Sequence, residues 1–179
     1  KAFSTRVADE AAWVTLPQYA DCSTLTDKPV GIFAQVSSYT SQMKLYFAKH
    51  CPDVKPTYLV ISDSATRAQA LASGQIVATV LGLPDALALA KKSPNTYDTI
   101  YLSQELPGVG DVYLWTNQTT LDQHGEAVRA LITAQLKAVR SLYADPSQLA
   151  NLCTKYDVSC EFADQYVSGK MWYANGGLF

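Results

Sequence analysis

Several kinds of feature are missing from this 179-residue sequence, and each absence removes a class of function. No run approaches the roughly 20 consecutive apolar residues that a membrane-spanning helix needs. Charge of neither sign is in excess, since 14 Lys+Arg stand against 16 Asp+Glu. The basic footprint of a protein that grips nucleic acid is therefore not expected. None of the four cysteines, Cys22, Cys51, Cys153 and Cys160, stands at the Cys-x-x-Cys spacing of a zinc ribbon or a thioredoxin-like redox site. A metal site is not expected either. There is no Gly-x-Ser-x-Gly elbow, no Gly-x-Gly-x-x-Gly after a strand, and the GVG at 108–110 is too short for a phosphate loop. The two histidines, His50 and His124, read as helix-end residues, which leaves a serine nucleophile without a base. Neither an enzyme nor a cofactor is expected. Low-complexity linkers and internal repeats are also lacking, and the opening KAFSTRVADE has no apolar signal-peptide core, an absence that a processed chain would share.

The sequence does have apolar material, at 48% hydrophobic residues with 17% charged, enough for one large or two small domains. AAWVTL at 11–16 reads as a strand, and YADCSTLTDK as a polar helix or turn. PVGIFA at 29–34 is a continuous apolar run, the mark of a strand buried on both sheet faces. A helix follows it, with N-cap oxygens at Ser37, Ser38 and Thr40 and an apolar stripe through Met43, Tyr46 and Phe47. The unit then recurs. PTYLVIS at 56–62 reads as a second buried strand, and Asp63 or Ser64 can cap a helix that stops at Gly74. IVATVL at 76–81 is a third strand, PDALALAKK a helix with Pro84 in its first turn, and TIYLS at 99–103 a fourth strand. Alternation of this kind specifies an α/β fold with a mostly parallel sheet. The strand at 11–16 is expected to run antiparallel, because no crossover helix leads into it.

Beyond a loop at LPGVG, DVYLWTN at 111–117 reads as a strand leaving the compact unit. The remainder reads as helical. One long amphipathic helix is expected over 124–144, then shorter ones over 147–156 and 160–174. The cysteines allow two readings, four buried thiols or two local disulfides, Cys22 with Cys51 and Cys153 with Cys160. Closing the 29-residue loop between Cys22 and Cys51 would be worth roughly 3.5 kcal/mol in the chain-entropy model. Two disulfides would mean an oxidising compartment.

The order AAWVTL, GIFAQVSSYTSQMKLYFAKH, PTYLVISDSATRAQALASGQIVATVLGLPDAL and GVGDVYLWTN resembles the solute-binding proteins of ABC importers for nitrate, sulfonates, taurine and thiamine-precursor-like compounds. The resemblance covers about residues 10–145 and is most specific over SATRAQALASGQIVATVLGLPDA. One departure stands out: the family often has Asp just before the Ala of that last strand, where this chain has Val77. The resemblance implies a bilobed periplasmic-binding fold of which this chain holds one lobe, as a truncated form. Residues 1–23 would be a crossing strand and linker, 24–106 an α/β ligand-binding lobe, and 107–179 the return crossing strand with C-terminal helices. It also implies a periplasmic or extracellular protein, with lipid anchoring of a precursor as one option. Such a protein would act as a monomer, bind a small anionic or polar solute and deliver it to a membrane permease. A complete small α/β domain is the plainer alternative.

In a doubly wound sheet, ligands sit beyond the carboxyl ends of the strands, against helix N-termini. Two such ends are legible. Ser37, Ser38, Tyr39 and Thr40 follow the strand GIFA, while Ser64 and Arg67 follow PTYLVIS. Hydroxyls, backbone N–H groups and a counter-charge at Arg67 would hold an anionic head. For the serines an ordinary capping role competes with this, and for Arg67 a solvated side chain does. Trp115 is a candidate stacking wall, with a core or lobe-interface position as the alternative. Two functions remain in contention: an extracytoplasmic solute receptor, or the ligand-sensing effector domain of a regulator built on the same bilobed fold.

Overall fold

The computed structural model describes residues 2–6, 11–106, 109 and 112–156. In chain order the elements are β1 (Ala2–Arg6), β2 (Ala11–Thr15), β3 (Pro29–Ile32), α1 (Ser38–His50), β4 (Thr57–Val60), α2 (Ser64–Ala72), β5 (Ala78–Gly82), α3 (Leu83–Lys92), β6 (Asp98–Tyr101), α4 (Leu102–Glu105), β7 (Val112–Trp115), α5 (Gln118–Ala144) and α6 (Ser147–Tyr156). Two 3-10 turns, Pro17–Tyr19 and Cys22–Leu25, lie between β2 and β3. The chain divides into two compact units, Asp9–Val109 and Lys1–Ala8 with Gly110–Phe179.

The first unit is a five-stranded sheet in the order β4-β3-β5-β2-β6. β3 pairs in parallel with β4 and with β5, whereas β2 is antiparallel to both β5 and β6. β4, β3, β5 and β6 therefore point the same way. β2 runs against them as expected, and it leads into β3 through short turns with no crossover helix. Because successive side chains of a strand alternate faces, the sheet builds two cores. On one face Trp13, Val30, Ile32, Val80 and Leu102 pack with Met43, Tyr46 and Phe47 of α1. On the other, Ala12, Val14 and Leu81 pack with Ala68 and Leu71 of α2 and with Ala86 and Leu89 of α3.

Two expectations need correction in this unit. β4, expected to be buried, lies at the sheet edge with a half-exposed strand and Val60 56% exposed, since it has a neighbour on one side only. The strand expected at 99–103 ends at Tyr101, and Leu102 begins the short helix α4. The first of the two local disulfides forms as read, Cys22 with Cys51, with an S–S distance of 2.08 Å. This bridge joins the turn before β3 to the end of α1 at the edge of the aromatic core. α2 stops where expected: Gly74 has φ +74°, a left-handed conformation that glycine adopts without penalty.

In the second unit β1, which no apolar run marks, pairs antiparallel with β7. The long helix begins earlier than expected, at Gln118, capped by Asn117 whose side chain accepts from the Thr120 N–H. It is not one regular helix, since His124 is non-helical (φ −134°, ψ 28°) just before Gly125, the residue type least committed to helix apart from proline. Cys153 on α6 is disulfide-bonded. Cys160 and the helix expected over 160–174 lie outside the described residues, as does most of the LPGVG loop.

Candidate functional site

The carboxyl ends of β3, β4 and β5 lie side by side, and each is followed by a helix. β3 is also the switch point of the topology, because its successor β4 lies to one side and β5 to the other. In open α/β sheets a crevice forms there, and helix N-termini with unpaired N–H groups face it.

The first of these N-termini belongs to α1. Ser37 is its N-cap: its hydroxyl accepts from the Thr40 N–H at 3.1 Å and donates to Thr40 Oγ1 at 3.0 Å. Thr40 Oγ1 in turn donates to the Ala34 carbonyl at 2.8 Å and is buried. These two hydroxyls therefore hold the β3–α1 loop in shape, while Ser38 is exposed and Tyr39 is half-buried and packs against the aromatic core.

At the second, Asp63 caps α2. Its Oδ1 accepts from the Thr66 hydroxyl and from the Thr66 N–H at 2.7 Å. Those two bonds, the hydroxyl's first, hold the Asp63 carboxyl below its ordinary range. Ser64 follows, and its Oγ accepts from the Gly82 N–H at 3.1 Å, tying the start of α2 to the end of β5.

Arg67 is the least ordinary residue of the edge, for only 1% of it is exposed. Its Nε donates to the Val80 carbonyl at 3.1 Å and its Nη1 to the Ile61 carbonyl at 2.7 Å. Val80 is the middle residue of β5 and Ile61 lies just after β4, so the guanidinium bridges two strands that are not neighbours. The Phe33 ring lies against it, 5.9 Å from Cζ to the ring centre. Among the described residues no carboxylate pairs with Arg67 and its Nη2 makes no hydrogen bond. Burial pulls its pKa down, while Tyr39, Asp63 and Asp85 act the other way. A guanidinium stays charged even so.

The third end is that of β5, where Gly82 precedes α3. Its φ of −64° suits any residue, so the glycine matters here for space. A Cβ on Gly82 would stand 3.8 Å from Asp85 Oδ2, 3.8 Å from Ser64 Oγ and 3.8 Å from the Tyr39 hydroxyl. Polar atoms from the first turns of three helices thus converge above one glycine.

Of the residues expected to form the site, Tyr39 and Ser64 meet at Gly82, Arg67 is electrostatically coupled to Tyr39, and Ser37, Ser38 and Thr40 lie at the start of the same helix α1. Trp115 stands on β7 in the other compact unit and is 71% exposed. The sequence reading did not single out Phe33, Gly82 or Asp85. The tetrapeptide GLPD carried the one available signal, a strand end followed at once by Pro and Asp in a helical first turn.

No protein-family model matches the sequence, and no curated protein matches it. Solved structures do match in fold. The periplasmic aliphatic sulphonate binding protein SsuA from Escherichia coli superposes with a TM-score of 0.66 at 15% identity, covering 92% of this chain and 57% of its own. The zinc-bound ligand binding component of an ABC-type import system from Staphylococcus aureus gives 0.67 at 16%, covering 99% of this chain and 61% of its own. The alkanesulfonate-binding protein SsuA from Xanthomonas axonopodis pv. citri, bound to MOPS, gives 0.64 at 14%, covering 93% and 57%. The chain therefore has the fold of the substrate-binding proteins of ABC-type import systems and spans little more than half the length of these structures.

Proposed function

We propose that this chain is one lobe of an extracytoplasmic solute-binding protein, which captures a small polar or anionic organic solute and hands it to a membrane permease of an ABC importer. The observation that carries the reading is the convergence at Gly82: three helices that follow parallel strands present a phenol, a hydroxyl and a carboxylate to one point, with a buried guanidinium beside them. Groups of this kind grip a ligand by hydrogen bonds and fixed dipoles without any reactive centre. The Cys22–Cys51 disulfide supports a location outside the reducing cytoplasm, and among the described residues no helix is long and apolar enough to cross a membrane. Sulfonates, nitrate and thiamine-precursor-like compounds are the solutes we would test first.

Titration calorimetry with sulfonates, nitrate, amines and pyrimidines tests the reading, using the wild type and Ser38→Ala combined with Tyr39→Phe. Loss of at least tenfold in affinity in the double variant, with an unchanged melting temperature, is expected. Tight binding that ignores both changes would place the solute elsewhere.

A further inference from the structure

The five-stranded sheet has two open edges, and they are not alike. An open edge presents unpaired backbone groups to any further strand, and folded proteins blunt such edges with charge or proline. β6 follows that rule, with Asp98 inside the strand, whereas β4 is the uncharged, proline-free run TYLV. The inner side of β4 is taken: the Thr57 N–H donates to the Lys28 carbonyl and the Ile61 N–H to the Ile32 carbonyl. Backbone groups of successive residues point to opposite sides of a strand, so those of Tyr58 and Val60 point away from β3. Among the described residues no strand lies on that side, and Val60 is 56% exposed.

The segment is also self-complementary about Leu59. Tyr58 and Val60 flank it, then Thr57 and Ile61, and four residues out on either side stand Lys55 and Asp63, exposed and of opposite charge. A two-fold contact demands this pattern, since residue i of one copy meets j of the other and j meets i. Two β4 strands paired antiparallel about Leu59 set Tyr58 against Val60 of the second copy. Those are the residues whose outward N–H and C=O groups are free to bond each other, and the two-fold repeats the exchange. Lys55 of each copy falls opposite Asp63 of the other. We propose that the β4 edge is a self-association surface, on which a second copy of this chain adds its own β4 to make one sheet continuous across both. The inference is independent of the solute and departs from the monomer that the family resemblance implies.

Sedimentation equilibrium of the full chain from about 10 µM to about 1 mM, the range suited to a contact this short, should show monomer passing into dimer. Val60→Lys puts a charge on the edge and should weaken the dimer at least tenfold. Its melting temperature at the low end of that range should match the wild type, because Val60 belongs to neither core. Lys55→Glu should weaken the dimer more at low salt than at high salt. Register is tested by cross-linking. Leu59 meets its own copy as a non-hydrogen-bonded pair with Cα atoms about 4.5 Å apart, within reach of a disulfide. Oxidised Leu59→Cys should therefore form a covalent dimer, and Val60→Cys, more exposed but opposite Tyr58, should not. A monomer at every concentration, a dimer that survives Val60→Lys, or a Val60→Cys variant that cross-links as readily as Leu59→Cys would each overturn the proposal. Monomer with the Tyr58 and Val60 amides protected from hydrogen exchange would also overturn it, giving the edge to another part of the protein.

Discussion

The two faces of the five-stranded sheet are built from different materials. Against α1 the core is aromatic: Trp13 meets Phe47 edge-on with ring centres 5.3 Å apart and lies 6.5 Å from Tyr46, and the Cys22–Cys51 bridge closes its border. Against α2 and α3 the core is small, with Ala12, Ala68, Ala70 and Ala86 around Leu71, Leu81 and Leu89. Small residues let two helices settle near the sheet side by side, which is how Ser64 and Asp85 come to share one point above Gly82. The aromatic face buries larger side chains, and its helix α1 brings the Tyr39 hydroxyl to the same point. Substitutions should therefore divide, with stability concentrated in the aromatic core and solute binding at the helix N-termini around Gly82.

The largest effect is expected at Trp13, which is 1% exposed. Trp13→Ala should cost about 4 kcal/mol in urea unfolding, the range for emptying a large aromatic from a core. Trp13→Phe should cost much less, for a second reason beyond retained packing: the indole Nε1 is buried with no hydrogen-bond partner, and phenylalanine carries no donor to strand there. Equal losses in the two variants would show that the aromatic contacts do not carry this face.

Next comes the disulfide. Replacing Cys22 and Cys51 together by alanine, or reducing the bridge, should lower stability by roughly 3.5 kcal/mol through the 29-residue loop it closes. Solute affinity should change less than threefold, because the bridge lies at the C-terminal end of α1, the opposite end from Ser38 and Tyr39. A loss of binding as large as the loss of stability would break that division.

Arg67 is where the division should fail, since it belongs to both sides of the argument. Arg67→Met keeps the stem's packing but leaves the Val80 and Ile61 carbonyls unpaired, for a cost of about 2 kcal/mol. Binding should weaken as well, through the lost charge and through the lost tie between β5 and the end of β4. A variant that lost affinity with no change in unfolding midpoint would mean that the guanidinium acts on the solute alone.

Much of the sheet was legible because its inner strands are continuous apolar runs and its helices open on polar caps: Ser37 and Asp63 both occupy the N-cap positions their neighbours imply. What was not legible depends on neighbours that the chain order does not name. TYLV reads as buried, yet whether a strand has one partner or two is decided by the sheet order, so β4 was misjudged. AFSTR has no apolar run, and β1 exists because β7 pairs with it. Arg67 looks like a solvated first-turn residue until the carbonyls of Ile61 and Val80, the second of them 13 positions away, arrive beside it. The candidate site was half visible for the same reason. Hydroxyls after strands could be read, whereas the space above Gly82 is set by three helices at once.

The smallest expected effects are those of pH, and the two faces should respond at opposite ends of the scale. Tyr46 lies in the aromatic core, where burial first, then the Glu105 and Asp21 charges, raise its pKa above the usual phenol value. A raised folded-state pKa favours the neutral phenol, so its stabilisation is complete below about pH 10 and is lost as pH rises through the folded value. Asp63, opening α2 on the other face, has its pKa lowered by the Thr66 hydroxyl and N–H. Its contribution is complete above the unfolded value of about 3.9 and is lost as pH falls through the folded one. Urea midpoints measured across the pH range should therefore show an alkaline decline that Tyr46→Phe flattens and an acid decline that Asp63→Asn flattens. Each substitution should leave the opposite limb in place, because asparagine still offers a capping oxygen and phenylalanine still fills the core. An acid limb that moves with Tyr46→Phe, or an alkaline limb that moves with Asp63→Asn, would mean that the two faces do not titrate separately across the sheet.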